Sequence, residues 1–332
     1  MLELNYLREN REEAEQRLTK RNIDAKVALD RVKELDDDRR ATQTELDGRQ
    51  AELNSISRSV GELMKAGKRE EAEAAKTRSS ELKSGIQAMQ EKLEACEQAL
   101  RDHLVTLPNA PNLKVPNGRT PEENTVVMQE GAIPDLGPEA KPHWVLGEEY
   151  GFLHMDLGVK LTGAGFPVYS GQGARLQRAL IAFFLDKAAE AGYREIIPPH
   201  LVNSASAFAT GQLPDKEGQM YHATVDDLYL IPTAEVPITN LYRDEIIDPE
   251  RLPIKNVGYT PCFRREAGSY GAHVRGLNRV HQFDKVEIVR VEKPEHSYAA
   301  LEEMVEHVKG LLRALELPYR QLLLCGGDMG FS

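Results

Sequence analysis

Cys262-Phe263-Arg264-Arg265-Glu266-Ala267-Gly268-Ser269-Tyr270 and, a few residues on, Arg279-Val280-His281-Gln282-Phe283-Asp284-Lys285-Val286-Glu287 are the two stretches on which the reading of the fold turns. The first leaves an apolar, strand-like segment at 256–263 and opens a loop. The second leads into another such segment at 285–291. Together they predict two antiparallel strands joined by a flexible basic loop. Side chains alternate across a strand. Val280, Gln282, Asp284 and Val286 therefore share one face, and Arg279, His281, Phe283, Lys285 and Glu287 share the other. The second face gathers cations, an aromatic ring and a carboxylate. Such a set suits a purine, a phosphate and an ammonium group together. A face of structural salt bridges would have the same composition, and the pattern alone leaves both open.

Working outward, Leu176, Leu180, Phe183, Phe184 and Ala188 recur at helical spacing and predict an amphipathic helix over 176–191. Short β-like runs fall at 195–197 and 228–231, a second helix at 296–315, and a helix or strand at 141–161. Short strands mixed with helices, without regular alternation, predict an antiparallel α+β domain. Gly163-Ala164-Gly165 and Gly171-Gln172-Gly173 lack the rest of a P-loop or dinucleotide pattern. Any nucleotide site would be built from arginine, aromatic and carboxylate groups on a sheet.

The N-terminal part is different. It has no proline before Pro108, after which prolines and glycines come every few residues. That change marks a domain boundary, giving a helical arm at 1–107, a linker at 108–140 and a second domain at 141–332. Val32, Arg39, Leu46, Leu53 and Val60 occupy heptad position a, and Leu35, Thr42, Arg49, Ile56 and Leu63 position d. Leu82, Ile86, Met89, Leu93, Cys96 and Leu100 form a second register. Lys65-Ala66-Gly67-Lys68 breaks the two. Each run of roughly 35 residues is about 50 Å long at the helical rise, so the pair predicts a long antiparallel hairpin over 27–104. Residues before 25 read as a short helical lead-in, with Leu4, Leu7 and Leu18 as packing points. Lys65, Lys68 and Arg69, with Arg58, Lys76 and Arg78 nearby, make a basic cluster at the tip. Periodicity alone serves a structural or dimerising coiled coil as well as an RNA-binding arm.

The chain of 332 residues, 41% apolar and 29% charged, has the composition of a soluble globular protein. Its net charge of −11 argues against non-specific nucleic-acid binding through a basic coat, and leaves local basic patches open. Cys96, Cys262 and Cys325 are far apart, so neither a zinc knuckle nor a disulfide framework is signalled. Met1-Leu2-Glu3-Leu4 does not begin a signal peptide, and no apolar run approaches a membrane span. A cytoplasmic location is expected.

With these residues in view, the Phe263–Tyr270 stretch and the Arg279–Glu287 stretch resemble motif 2 of class II aminoacyl-tRNA synthetases, in the version of the seryl-tRNA synthetase family. Ile231-Pro232-Thr233-Ala234-Glu235-Val236-Pro237 resembles that family's serine-binding T-A-E loop. Ala191 to Pro199 resembles motif 1, with its proline at Pro199, and implies a homodimer. The hairpin sits where the family keeps its arm for the variable branch of tRNA(Ser), with tRNA(Sec) a further candidate. The implied fold is α+β: the long helical hairpin plus a class II antiparallel-sheet catalytic domain. The implied activity is an ATP-dependent serine–tRNA ligase using L-serine, ATP and Mg²⁺.

The resemblance also assigns roles, one position at a time. Arg264 is expected to bind the α-phosphate and to be catalytic. Glu266 is expected to read the adenine amino group, Phe283 to stack on its ring, and Val280 to lie against the nucleotide. Arg265 is placed with this ATP group, its side chain turned away from the nucleotide. Thr233, Ala234, Glu235 and Glu287 are expected to hold serine. His281 needs no catalytic role, and no side chain is assigned as a metal ligand. The resemblance further implies a motif 3 region, with an arginine for the γ-phosphate and an acidic Mg²⁺ ligand, after Gly326-Gly327-Asp328-Met329-Gly330-Phe331-Ser332. These residues taken alone are expected to be C-terminally incomplete, with weak adenylation and an open sheet edge. A tRNA-binding relative without ligase activity, a carrier-protein aminoacylating relative and a purely structural coiled coil are the competing readings.

Overall fold

The computed structural model describes residues 2–215, 218–266 and 275–331. The loop residues 267–274, including Ala267-Gly268-Ser269-Tyr270, lie outside the described residues. Two compact units emerge, one of residues 1–128 with 321–332 and one of residues 129–320.

The first unit begins with α1 (Leu4–Glu9) and α2 (Arg11–Thr19), then α3 (Ala25–Lys65) and α4 (Arg69–Leu104). α3 starts where the Asp24 carboxylate accepts the Val27 amide at 3.1 Å, a side-chain N-cap. Between α3 and α4 the chain turns through Gly67 at φ +75°, a left-handed conformation that glycine adopts without penalty. So short a turn forces the two helices antiparallel. The heptad positions lie inward as expected. Val32, Leu35, Thr42 and Leu46 are buried on α3, and Leu82, Ile86, Met89 and Leu100 on α4. Towards the tip the seam thins: Leu53, Ile56, Val60 and Leu63 are only half-buried. Arginine at a heptad position is accommodated by local pairing: Arg39 Nη2 reaches Asp36 at 3.2 Å and Arg49 Nη2 reaches Glu45 at 2.6 Å.

The lead-in helices close the base of this unit. Leu7, Leu18, Leu29, Val32, Leu104 and Leu107 form one cluster, with Leu4 packed against it. Asp36 is buried, and Arg8 grips it with a two-pronged bond, Nε and Nη2 each at 2.7 Å. That fork, with Arg39 beside it, holds the Asp36 carboxyl below the usual carboxylate range. Residues 325–331 fold back here too. The Cys325 amide donates to Asn124 Oδ1 at 2.8 Å, and Arg21 Nη2 donates to the Gly330 carbonyl at 2.8 Å. β1 (Thr125–Glu130) pairs with β10 (Tyr319–Leu323).

The second unit holds α5 (His143–Glu149), β2 (Leu153–His154), α6 (Met155–Leu161), β3 (Val168–Tyr169) and α7 (Gly171–Glu190). There follow β4 (Arg194–Glu195), β5 (Leu201–Val202), α8 (Ser204–Ala209), β6 (His222–Ala223), β7 (Leu228–Leu230) and α9 (Glu235–Asn240). β8 (Ile254–Phe263), β9 (Gln282–Val291) and α10 (Ser297–Ala314) complete it. β8 and β9 pair antiparallel along their whole length, from Ile254↔Val291 to Phe263↔Gln282. β4 adds to β8 in parallel. β5, β7 and β6 form a second, antiparallel sheet. α7 covers one face of β8 and β9, where Leu185, Ala188 and Tyr193 meet Val257, Val286 and Ile288. It starts at Gly171, five residues before the apolar spacing does. A Cβ on Gly173 would fall 2.4 Å from the Phe152 carbonyl oxygen, so this glycine permits a close backbone approach.

Leu18→Ala should lower stability by about 2–5 kcal/mol through cavity formation, since Leu18 has 0% exposure inside the first cluster. Leu176→Ala, at a side chain with 61% exposure, should stay within about 0.5 kcal/mol. Urea unfolding followed by circular dichroism measures both.

Candidate active site

Directly paired residues of antiparallel strands face the same way. The register sets Gly258 opposite Glu287, Thr260 opposite Lys285 and Cys262 opposite Phe283. These six share the face that α7 leaves uncovered, and Phe283, Lys285 and Glu287 lie along it as the alternation predicts. Asp284 points to the other face, where Tyr259 Oη donates to its Oδ1 and Gln177 Nε2 to its Oδ2, each at 2.7 Å. Burial, reinforced by this bond, pushes the Tyr259 phenol up to about 12. The bond to Gln177 ties β9 to α7 from behind.

Ile231, Thr233 and Ala234 are buried where the chain passes from β7 into α9. Thr233 Oγ1 donates to Glu287 Oε2 at 2.8 Å, and the Glu235 amide donates back to Thr233 Oγ1 at 3.2 Å. Lys285 Nζ forms an ion pair with the same Glu287 oxygen. The Glu235 side chain is solvent-accessible, yet the protein crowded around its carboxylate raises its pKa. Repulsion from Glu287 adds to this and Lys285 opposes it. α9 can approach the sheet because residue 258 is glycine. A Cβ there would lie 2.6 Å from Ile238 Cδ1 and 2.9 Å from the Ile196 carbonyl oxygen.

Arg264 stands where the strand pairing ends. Its amide donates to the His281 carbonyl at 2.9 Å, and its Nε reaches the Pro232 carbonyl at 3.4 Å. Its guanidinium lies 5.1 Å from the Phe283 ring centroid, a cation–π contact. Glu266 has φ +47°, an uncommon conformation for a residue with a side chain. Its carboxylate meets Arg279 Nη1 at 3.1 Å. Val280 is buried. Arg265 is exposed, and its amide donates to the Gln219 carbonyl at 2.9 Å. Pro199 is exposed beyond β4.

Thr233, Ala234, Glu235, Arg264, Phe283 and Glu287 thus converge, although they come from three segments that are separated in sequence. His281 is tied into the scaffold. Its amide donates to the Gly165 carbonyl at 2.7 Å, its Nδ1 bonds the Tyr221 hydroxyl at 2.7 Å, and its ring stacks on Phe166. Sequence reasoning placed Lys285 on the right face and gave it no role. Its ion pair with Glu287 is a tertiary fact, signalled only by the two-residue spacing. Chemically, the face offers two cations, two carboxylates beside a threonine hydroxyl, and an aromatic ring.

Two family models match the chain. Seryl-tRNA synthetase N-terminal domain covers residues 1–111, and tRNA synthetase class II core domain (G, H, P, S and T) covers residues 220–332. The serine–tRNA ligase of Salinibacter ruber is 45% identical over 332 residues, spanning 100% of this chain and 78% of the relative. A crystal structure of seryl-tRNA synthetase from Pyrococcus horikoshii complexed with ATP is similar at a TM-score of 0.91 and 31% identity, covering 100% of this chain and 78% of that one. Cytoplasmic serine–tRNA ligase from Naegleria fowleri in complex with AMP is similar at 0.86 and 26% identity, covering 100% and 79%.

Gly258→Ala should cost about 1–3 kcal/mol by overpacking, because α9 and the Ile196 carbonyl cannot both retreat. A thermal melt of the variant against the parent checks this, and an unchanged midpoint would count against the close approach.

Proposed function

We infer the chemistry of this face from one premise: the chain belongs to the seryl-tRNA synthetase family. The reaction is ATP-dependent ligation of L-serine to tRNA(Ser). A serine carboxylate oxygen attacks the α-phosphorus of ATP, the bond to pyrophosphate breaks, and seryl-adenylate forms. A terminal ribose hydroxyl of the tRNA then attacks the acyl carbon and AMP leaves. Neither step needs a side-chain nucleophile, so positioning and charge stabilisation carry the catalysis.

The observation that best supports this reading is the bond from Thr233 to Glu287. It joins the T-A-E loop to the strand that carries Phe283, so a small amino acid and a purine are presented on one surface. Thr233, Ala234, Glu235 and Glu287 hold serine in this proposal. A site built to hydrogen-bond a hydroxyl rejects alanine, because its own polar groups would be left unpaired. Adenine stacks on Phe283, with Glu266 at its amino group and Val280 alongside. Arg264 leaves the ring it now covers and moves to the α-phosphate, where charge builds in the transition state. Arg265, exposed and tied through its backbone, contributes only at the margin of the ATP site. Among the described residues no group of three His, Cys, Asp or Glu side chains stands together to hold a metal. In this proposal Mg²⁺ would accompany the ATP phosphates and offset their charge.

The hairpin α3–α4 serves as the tRNA arm in this proposal, with tRNA(Sec) as a second acceptor. Its tip carries Lys65, Lys68, Arg69, Lys76 and Arg78. No described helix is long and apolar enough to cross a membrane. A cytoplasmic location is part of the proposal, as is a homodimer built around motif 1 and Pro199. Leu157, Val159 and Leu161 on α6 and Ile197 after β4 are exposed apolar groups that such a partner would cover.

Serine-dependent exchange of labelled pyrophosphate into ATP, measured on the natural full-length chain, tests the adenylation. Arg264→Ala should reduce it about 10²–10³-fold, and no exchange from the parent would sink the reading. Deleting residues 30–100 should abolish tRNA charging and leave exchange nearly intact. Sedimentation equilibrium should give twice the monomer mass, and a monomer at micromolar concentration would count against the homodimer.

A further inference from the structure

Lys285 is the one cation on the front face of β9, and neither the family resemblance nor the proposed roles employ it. It occupies the strand position between Phe283 and Glu287. Successive residues on one strand face stand roughly 7 Å apart at the strand rise. If adenine stacks on Phe283 and serine is held at Glu287, the position between them lies beneath the join of the two substrates. There the serine carboxylate meets the α-phosphate. Arg264 flanks the same place from over the Phe283 ring. The pairing of Thr260 with Lys285 and of Cys262 with Phe283 keeps small side chains opposite, so nothing bulky stands across the strand from Lys285.

The Lys285 ammonium is held at Glu287 Oε2, where Thr233 Oγ1 also donates. Around it the local charges are those of Glu235, Glu287 and Lys285. Two carboxylates share one cation, and the protein around the Glu235 carboxyl, with Glu287 beside it, raises its pKa. A serine ammonium supplies the missing positive charge. With it two cations match the two carboxylates, so Glu287 keeps a cationic partner when the serine carboxylate and the α-phosphate draw the Lys285 ammonium away.

We propose that Lys285 is a further catalytic residue of the adenylation step, handed over from Glu287 to the serine carboxylate and the α-phosphate when serine binds. It rests on the seryl-adenylate reading above. Lys285 then stays protonated throughout, forms no covalent bond, and offsets charge on the phosphorane-like oxygens together with Arg264. Its resting ion pair keeps the ammonium near the reacting centre and keeps the acidic pair from being left unneutralised.

Lys285→Gln separates this role from a structural one, because a glutamine amide still donates to Glu287 while carrying no charge. The measurements are kcat and KM for serine and ATP in pyrophosphate exchange, with serine binding by calorimetry. The expected result is a fall in kcat of about 10²–10³-fold, serine affinity within a few-fold of the parent, and recovery of most of kcat in Lys285→Arg. Retained kcat in Lys285→Gln would overturn the proposal. So would a loss confined to serine binding, which would make Lys285 a mere holder of Glu287. No exchange from the parent chain would strike the adenylation reading itself, and is thereby told apart from failure of this inference.

Discussion

The register of β8 against β9 is the constraint on which the second unit depends. One continuous antiparallel pairing from Ile254↔Val291 to Phe263↔Gln282 sorts the side chains into two sets. One set, with Val257, Val286 and Ile288, is buried against α7. The other presents Phe283, Lys285 and Glu287. A slip of one residue would exchange the sets, burying the charged groups under a helix and opening the apolar ones to solvent. Burying unpaired charge is far costlier than any gain from a new pairing, so the packing of α7 enforces the register and the register positions the site. Asp284 reinforces it from behind, since both its oxygens are taken, one by Tyr259 and one by Gln177 of α7.

The front of the sheet is completed by long-range contact. Thr233 lies far before Glu287 in sequence, and one hydrogen bond of 2.8 Å brings the loop at 231–237 onto the strand. Close approach of α9 requires the missing Cβ at Gly258. These two facts make the acidic pair Glu235 and Glu287 a property of the tertiary structure. The electrostatic consequence is two neighbouring carboxylates that lean on the single ammonium of Lys285.

Much of this was legible in the residues. Heptad spacing gave the hairpin, and Gly67 its turn, because helix periodicity is a local property that the partner helix only confirms. Alternation placed Phe283, Lys285 and Glu287 together for the same reason. The identity proposed for the site rests on the resemblance of the T-A-E loop and the Arg264 stretch, and no rule of spacing would have joined them. Other features could not be read at all. The stack of Arg264 on Phe283, the scaffold bonds of His281 and the fork of Arg8 on Asp36 depend on which segments meet. The gathering of residues 321–332 with the helices is of the same kind. Alternation also included Arg279 and His281 in the front face, whereas β9 begins at Gln282 and both precede it.

The thinning of the hairpin seam has a mechanical meaning. From its base to Leu46 the α3 side is locked by buried residues and by the Arg8–Asp36 fork, while Leu53 to Leu63 are only half-buried. A two-helix rod resists bending in proportion to how firmly its helices are glued along their length. On its α3 side this one is graded, tightly packed at its root and more open towards its tip. A curved polyanion could therefore bend the outer part of the arm to its own contour while the root transmits little of that strain to the rest of its unit.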